Sequence, residues 1–362
     1  MRVGIMTFLH NDNYGSALQA YALQRALRTL GAEAEHIDYA PTPREKLRNL
    51  LRSGNSPRLV LEGMRKRGVR AREEGAQRKA DSFAPFYQAN VRLSPRCGDH
   101  AALARQAEVY DLLVCGSDQI WSPTWLNPAY FLDFAMTGQR RVAYAPSLGV
   151  KTLPNPRKQR RMQELLRGFE RLSVREQEGA RVLETLLPGA QVPVLPDPVC
   201  LLTRAEWLEL ARLPGRKHPY VLCYFLGESP EYWQRVERLR ERTGLRVKVI
   251  PLTAEAYRQP YDLCEGLGPQ EFLGYVAEAA VVCTDSFHGT TFSALFQRPF
   301  EVFRRDREDD PASRNSRVDH LLRQRGLEQD MEEIPWEDVA ARMGAMRRTG
   351  LNYLSSLLEE KA

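Results

Sequence analysis

No apolar run in this chain approaches the roughly 18 to 20 residues that a membrane-spanning helix needs. There is no Cys-x-x-Cys pair, no internal repeat and no low-complexity segment. The six cysteines (Cys97, Cys115, Cys200, Cys223, Cys264 and Cys283) are scattered, and four lie in or beside apolar strand-like runs. A free thiol there behaves as a small hydrophobe, so neither a disulfide framework nor a zinc site is supported. No clustered set of histidines or carboxylates marks a metal, and none is expected. Met1 to Phe8 reads as a first strand without the long apolar core and small-residue cleavage site of a signal peptide, so a cytoplasmic protein is expected.

What is present is an ordinary soluble composition, 43% hydrophobic and 27% charged. At 362 residues the chain exceeds what one core usually organises, which makes two domains the default. The net charge of +6, carried mostly by Arg, suits an anionic ligand or an acidic surface but does not name nucleic acid. Residues 42–80 stand apart, with 12 Lys or Arg, 4 Glu and no Asp among spaced Leu and Val. They read as the start of a basic helical excursion at about 42–100. The plain reading is a solvated face; the functional one is contact with an anionic membrane surface or a phosphorylated lipid acceptor. No aromatics interleave the charges, which argues against single-stranded nucleic acid, and no nucleic-acid partner is expected.

Elsewhere strand-like runs alternate with helical spacing. Arg2–Phe8 reads as a strand, Ala17–Leu30 as a helix stopped by Gly31, and Glu35–Tyr39 as a short strand. Asp111–Cys115, Arg141–Ala145, Leu172–Val174 and Val192–Leu195 follow, with a domain boundary near Pro196-Asp197-Pro198. Tyr220–Leu226, Val247–Pro251 and Ala280–Thr284 open a second series. Strands separated by helices predict parallel sheets and a doubly wound α/β fold. The expected domains are 1–195, 196–330 and a helical tail, 331–362, packing back on both.

Such folds place ligands in the loops at the carboxyl ends of parallel strands. Leu9 to Ser16, containing Asn13, Tyr14, Gly15 and Ser16, is a polar strand-to-helix loop where free N–H groups and the helix dipole favour an anion. It is not a Gly-x-Gly-x-x-Gly loop, so a dinucleotide has no support. Gly116-Ser117-Asp118-Gln119 and the stretch through Ser147 end two further strands. The most informative run is Val281 to Phe292, where an apolar strand gives way to Asp285-Ser286-Phe287-His288-Gly289 at a helix start. In a chain with 6 His, one placed there needs explaining. It either caps the helix or does chemistry.

Together these pieces resemble the polysaccharide pyruvyl transferase family. The matches are Asn13-Tyr14-Gly15-Ser16 with Leu18-Gln19, Gly116-Ser117-Asp118-Gln119 with Trp121, Tyr130-Phe131-Leu132 and Ala143-Tyr144-Ala145-Pro146-Ser147. Ser173-Val174-Arg175-Glu176, Asp197-Pro198 and Thr284-Asp285-Ser286-Phe287-His288-Gly289 complete the series, in order from about residue 3 to 325. The resemblance implies two Rossmann-like domains facing a central cleft, similar to the glycosyltransferase architecture called GT-B. It also implies transfer of the pyruvyl group of phosphoenolpyruvate onto two hydroxyls of a sugar in a cell-surface or exopolysaccharide precursor. The product is a cyclic ketal, phosphate is released, and no cofactor takes part.

Such chemistry needs a general acid for the vinyl carbon, with His the expected type, and cations for carboxylate and phosphate. By motif position His288 would be the acid and Arg175 a clamp on phosphoenolpyruvate. Glu176, Asp118 and Asp285 would serve as base or hold acceptor hydroxyls, unless they only cap helices or brace an Arg. Family members carry an Arg two residues before the His, where this chain has Ser286. Arg304, Arg305 and Arg307, or Arg314 and Arg317, are the candidates to replace it. The competing readings are a nucleotide-sugar glycosyltransferase and a non-catalytic carbohydrate-binding relative, which donor binding would separate.

Overall fold

Two sets of buried strands organise the chain, whose computed structural model describes residues 1–52, 74–153, 155–215, 218–305, 322 and 334–359. In the first set, β1 (Arg2–Met6), β2 (Glu33–His36), β3 (Leu112–Cys115) and β4 (Arg140–Ala143) form a parallel sheet in the order β2-β1-β3-β4. β3 is buried at every position and β1 at all but its first. Continuous burial is what a parallel strand covered on both faces requires. Val3 pairs with Leu112 and Met6 with Cys115, so the loops after β1 and β3 leave the sheet side by side. The helix after β1 runs Tyr14–Thr29; the Asn13 side chain accepts the Ser16 N–H at 3.1 Å as its cap. Gly31, just past its end, takes a φ of 90°, where glycine meets no steric cost.

The second set is β5 (Tyr220–Tyr224), β6 (Arg246–Val249), β7 (Asp262–Leu263), β8 (Val281–Thr284) and β9 (Phe300–Val302). They form a parallel sheet in the order β7-β6-β5-β8-β9. β5 and β8 are wholly buried, with Val221 opposite Val281 and Tyr224 opposite Thr284. In each sheet the chain order reverses once, between β1 and β3 and between β5 and β8. Such a reversal opens a crevice beyond the carboxyl ends of the two strands.

The chain divides into two compact units. One holds Met1–Ala76, Tyr87–Leu201 and Met346–Ala362; the other holds Gln77–Phe86 and Leu202–Ala345. The first therefore runs past residue 195 to Leu201, because Leu201 packs into the core with Leu112, Val114 and Leu354. Part of the basic excursion goes to the second unit, where the Ser82 hydroxyl donates to the Leu267 carbonyl at 2.9 Å. The tail is one helix, Trp336–Glu359, whose Leu354 and Leu357 are buried in the first unit's core. There the Tyr353 hydroxyl donates to the Ala143 carbonyl at 3.0 Å and Arg347 Nε to the Leu201 carbonyl at 2.9 Å.

Two expected strands are not strands. Leu172–Val174 and Val192–Leu195 share one isolated bridge, Val174 with Val194, and Arg171 just before them makes another with Val142. Pro193 lacks an N–H, so this edge gains a single-residue pairing and no ladder. Helices Pro43–Arg52 and Glu74–Asn90 occupy the ends of the basic stretch, and 53–73 lie outside the described residues. All six cysteines are buried free thiols. No described helix is long and apolar enough to cross a membrane.

Candidate active site

The switch point of the first sheet is closed by side chains that cross it. Thr7, just after β1, donates its hydroxyl to the Ser117 carbonyl at 3.1 Å. Gln19, from the first helix, donates to Thr7 Oγ1 at 2.9 Å and accepts the Ser117 N–H at 3.0 Å. Ser16 donates to Asp118 Oδ2 at 2.5 Å and accepts from Asn11 Nδ2 at 3.0 Å. Tyr14 and Gly15 open the same helix and are buried. Gly116 has a φ of 130°, and a Cβ there would collide with the Tyr144 carbonyl, so only glycine lets β3 turn off at this point. Asp118 is left-handed, with a φ of 67°, a conformation Asp tolerates better than most residues. Its Oδ1 accepts the Gln119 N–H at 2.8 Å and its carbonyl accepts the Ser147 N–H at 2.7 Å. Asn13, Ser16, Ser117, Asp118, Gln119 and Ser147 are thus one linked group.

Arg175 extends this group. It is only 3% exposed, donating from Nε to Glu176 at 3.1 Å and from an Nη to Asp197 at 2.6 Å. Burial opposes its charge, but Glu176, Asp197 and Asp118 more than offset that, and the guanidinium is held protonated more firmly than usual. Glu176 stands at the N-cap of helix Gln177–Leu186, yet its side chain makes no cap bond and turns to Arg175 instead. Asp197, to which the sequence pattern assigns no role of its own, is thus a further side chain of this group. Its signal was the Asp-Pro that closes the Val192–Leu195 run.

The second switch point is built differently. Asp285, directly after β8, accepts the N–H groups of Leu226 at 2.7 Å and Gly227 at 2.8 Å, bridging to the loop after β5. Arg305, three residues beyond β9, donates from Nε to Asp285 Oδ2 at 3.1 Å and from Nη2 to its carbonyl at 3.1 Å. Ser286 is the N-cap of helix Phe287–Leu295 and accepts the Gly289 N–H at 3.3 Å. His288 follows in the first turn, 8% exposed. Gly289 has no room for a Cβ, which would lie 2.5 Å from Thr284 Oγ1. Burial, then Asp285, push the neighbouring Tyr224 phenol upward, so it stays neutral.

Of the cations considered as replacements at position 286, Arg305 reaches this loop. Arg304 is exposed and offers its carbonyl to the Tyr232 hydroxyl at 2.9 Å. Arg307, Arg314 and Arg317 lie outside the described residues. Among the described residues no group of three or more His, Cys, Asp or Glu is placed to hold a metal ion.

The architecture is shared with known enzymes. A protein assigned as a UDP-N-acetylglucosamine 2-epimerase in Listeria monocytogenes superposes with a TM-score of 0.56 at 11% identity, covering 100% of this chain and 97% of that one. The UDP-GlcNAc 2-epimerase of Neisseria meningitidis, solved with UDP-GlcNAc bound, gives 0.50 at 10% identity and covers 99% of both. At such identities the likeness defines the fold alone: α/β, parallel-sheeted and GT-B-like. No curated protein matches the chain. A family model for polysaccharide pyruvyl transferases matches residues 13–307, most of the chain, and the chain belongs to that family.

Proposed function

We propose that this member of the family moves the pyruvyl group of phosphoenolpyruvate onto two hydroxyls of one sugar, forming a cyclic ketal. The observation that carries the reading is the second switch point. Arg305 bonds to Asp285, the residue before the Ser286 cap of helix Phe287–Leu295, and His288 lies in that helix's first turn, so a cation, a helix dipole and a proton source belong to one strand-end loop. His288 protonates the vinyl methylene, a sugar hydroxyl attacks the resulting cationic carbon, and the second hydroxyl displaces phosphate. Of the two hydroxyl protons, one ends in the new methyl group and one on phosphate. The balance needs no cofactor and no water.

Hydroxyls want acceptors, and the first switch point supplies Asp118, Glu176 and Asp197 around a single Arg175. That edge suits the sugar acceptor, with a carboxylate as base. Arg175 is then the group that holds those carboxylates in place; a phosphate would have to displace one of them to reach it. The acceptor is a sugar of a cell-surface polysaccharide precursor, free or lipid-linked. Exposed Arg44, Lys46 and Arg48 on helix Pro43–Arg52 support a peripheral contact with an anionic membrane from the cytoplasmic side.

Thermal unfolding with phosphoenolpyruvate tests the donor. A ligand at about 100 times its Kd adds about 2.7 kcal/mol, a shift of several degrees. A shift with nucleotide sugars and none with phosphoenolpyruvate would overturn the reading in favour of glycosyl transfer.

A further inference from the structure

The loop that carries Asp118 and Gln119 goes on to a side chain that the chemistry above does not use. Ile120, Trp121 and Leu126 in this loop are each 0% exposed, in the core with Phe131 and Leu132. Trp125 is 47% exposed. The loop therefore has a core within reach and leaves one indole out of it.

The indole is presented on a braced backbone. The Ser122 N–H donates to the Gln119 carbonyl at 3.2 Å, and the Trp125 N–H donates to the Ser122 carbonyl at 3.3 Å. Two successive turns thus run from Gln119 to Trp125. Each spans less than about 7 Å between its end Cα atoms, so the two residues stand within about 14 Å of one another. Lys158 holds the middle of the loop, donating from Nζ to the Pro123 carbonyl at 2.6 Å, and partial burial lowers its pKa. Past the indole, Asn127 accepts the Ala129 N–H at 3.1 Å and Leu126 is anchored in the core.

We infer that Trp125 is a stacking platform for a sugar ring of the acceptor, one to two residues from the ring that is modified at Asp118. The inference rests on the pyruvyl-transfer reading for the identity of that ring, and on the loop geometry for its position. A pyranose offers a face of C–H bonds, polarised positive, to the negative face of an indole, and keeps its hydroxyls outward. The surroundings fit that shape: Thr124 beside the indole is exposed and polar, and Arg157, next to the Lys158 that bonds the Pro123 carbonyl, is exposed for an acidic or phosphorylated saccharide. A membrane or a protein partner would need a contiguous apolar patch, and here the neighbouring Pro123 and Leu126 are buried.

The full chain, labelled with 5-fluorotryptophan, provides the test. It has five Trp, and the Trp125 fluorine line is the one missing from Trp125→Phe. Methyl glycosides of glucose, galactose, mannose and N-acetylglucosamine, and the corresponding uronic acids, are titrated in. At least one should move the Trp125 line saturably. By calorimetric titration, Trp125→Ala should weaken that glycoside roughly three- to tenfold while Trp125→Phe largely retains it. A line unmoved by every glycoside overturns the inference, as does one moved only by phosphatidylglycerol vesicles. Phosphoenolpyruvate-induced stabilisation is read separately on the same protein. Its loss alongside a moving Trp125 line would defeat pyruvyl transfer and leave the saccharide platform standing; the reverse pattern would defeat the platform alone.

Discussion

The two switch points share a plan and differ in charge. In each, a loop after the inner strand is tied to the loop after its neighbour by side chain to backbone hydrogen bonds: Thr7 and Gln19 to Ser117 in the first, Asp285 to Leu226 and Gly227 in the second. The first then gathers Asp118, Glu176 and Asp197 around one Arg175, a formal sum of −2. The second sets one carboxylate, Asp285, against Arg305 and leaves a helix N-terminus and His288 beside them. On the proposed function, one architecture, repeated, makes a place for hydroxyls and a place for an anion. Folding supplies the crevice; the charge count decides what enters it.

The comparison can be broken at its second member first. His288→Ala should lower turnover by about 10²- to 10⁴-fold, the usual worth of a positioned acid. The thermal shift with phosphoenolpyruvate should survive, since the cation and the dipole remain. Turnover within a few-fold of wild type would remove His288 from the chemistry.

Next in size is Arg175→Met. It leaves Glu176 and Asp197 buried without their partner, which costs about 3 to 5 kcal/mol. Calorimetry should show the first unit melting earlier by roughly 10 °C. A variant that melts like wild type but no longer responds to phosphoenolpyruvate would assign Arg175 to the donor after all and collapse the contrast.

The units should also respond differently to acid. His36, wholly buried in the first unit with its Nε2 on the Ala20 carbonyl at 2.9 Å, is held to a pKa of about 4 by burial, against 6.5 ordinarily. The unfolded chain takes up a proton below pH 6.5 that the folded chain refuses. Stability is therefore unaffected above pH 6.5 and falls steadily from there towards pH 4, by about 3 kcal/mol in all. Calorimetry from pH 7 to 4.5 should show that loss in wild type and much less of it in His36→Gln.

The smallest effect sharpens the donor side. Arg305→Ala removes a charge-assisted contact worth about 1.5 to 3 kcal/mol, which is roughly ten- to a hundredfold in Kd for phosphoenolpyruvate. Arg305→Lys should recover part of it, as a point charge without the bidentate fork. An unchanged Kd in both variants would mean that the Ser286 position is compensated elsewhere.

Much of this was legible in the residues. Apolar runs at β1, β3, β5 and β8 announced buried parallel strands, and the polar residues at their ends named the loops. Asn13 and Ser286 were readable as helix starts because a short side-chain oxygen ahead of an apolar helix serves the free N–H groups. Pairing across loops was not legible. Gln19 sits a full turn inside a helix, and nothing local says that it spans to Thr7 and Ser117. Asp197 lies 22 residues from the Arg175 it holds. The one-residue bridge at Val194 resembles a strand in sequence, because β-branched residues look alike whether or not a ladder forms.

What the sequence by itself determined is therefore local: periodicity, caps, the glycines at residues 31 and 116, and the family pattern from Asn13 to Gly289. These follow from backbone sterics and from burial along one element. What only the tertiary structure decided is which charges meet. Arg175 could have faced a phosphate or three carboxylates, and Arg305 could have faced solvent or the His288 loop. Such choices depend on parallel registers that bring residues 20 to 110 positions apart to one edge, a distance over which sequence spacing carries no geometry.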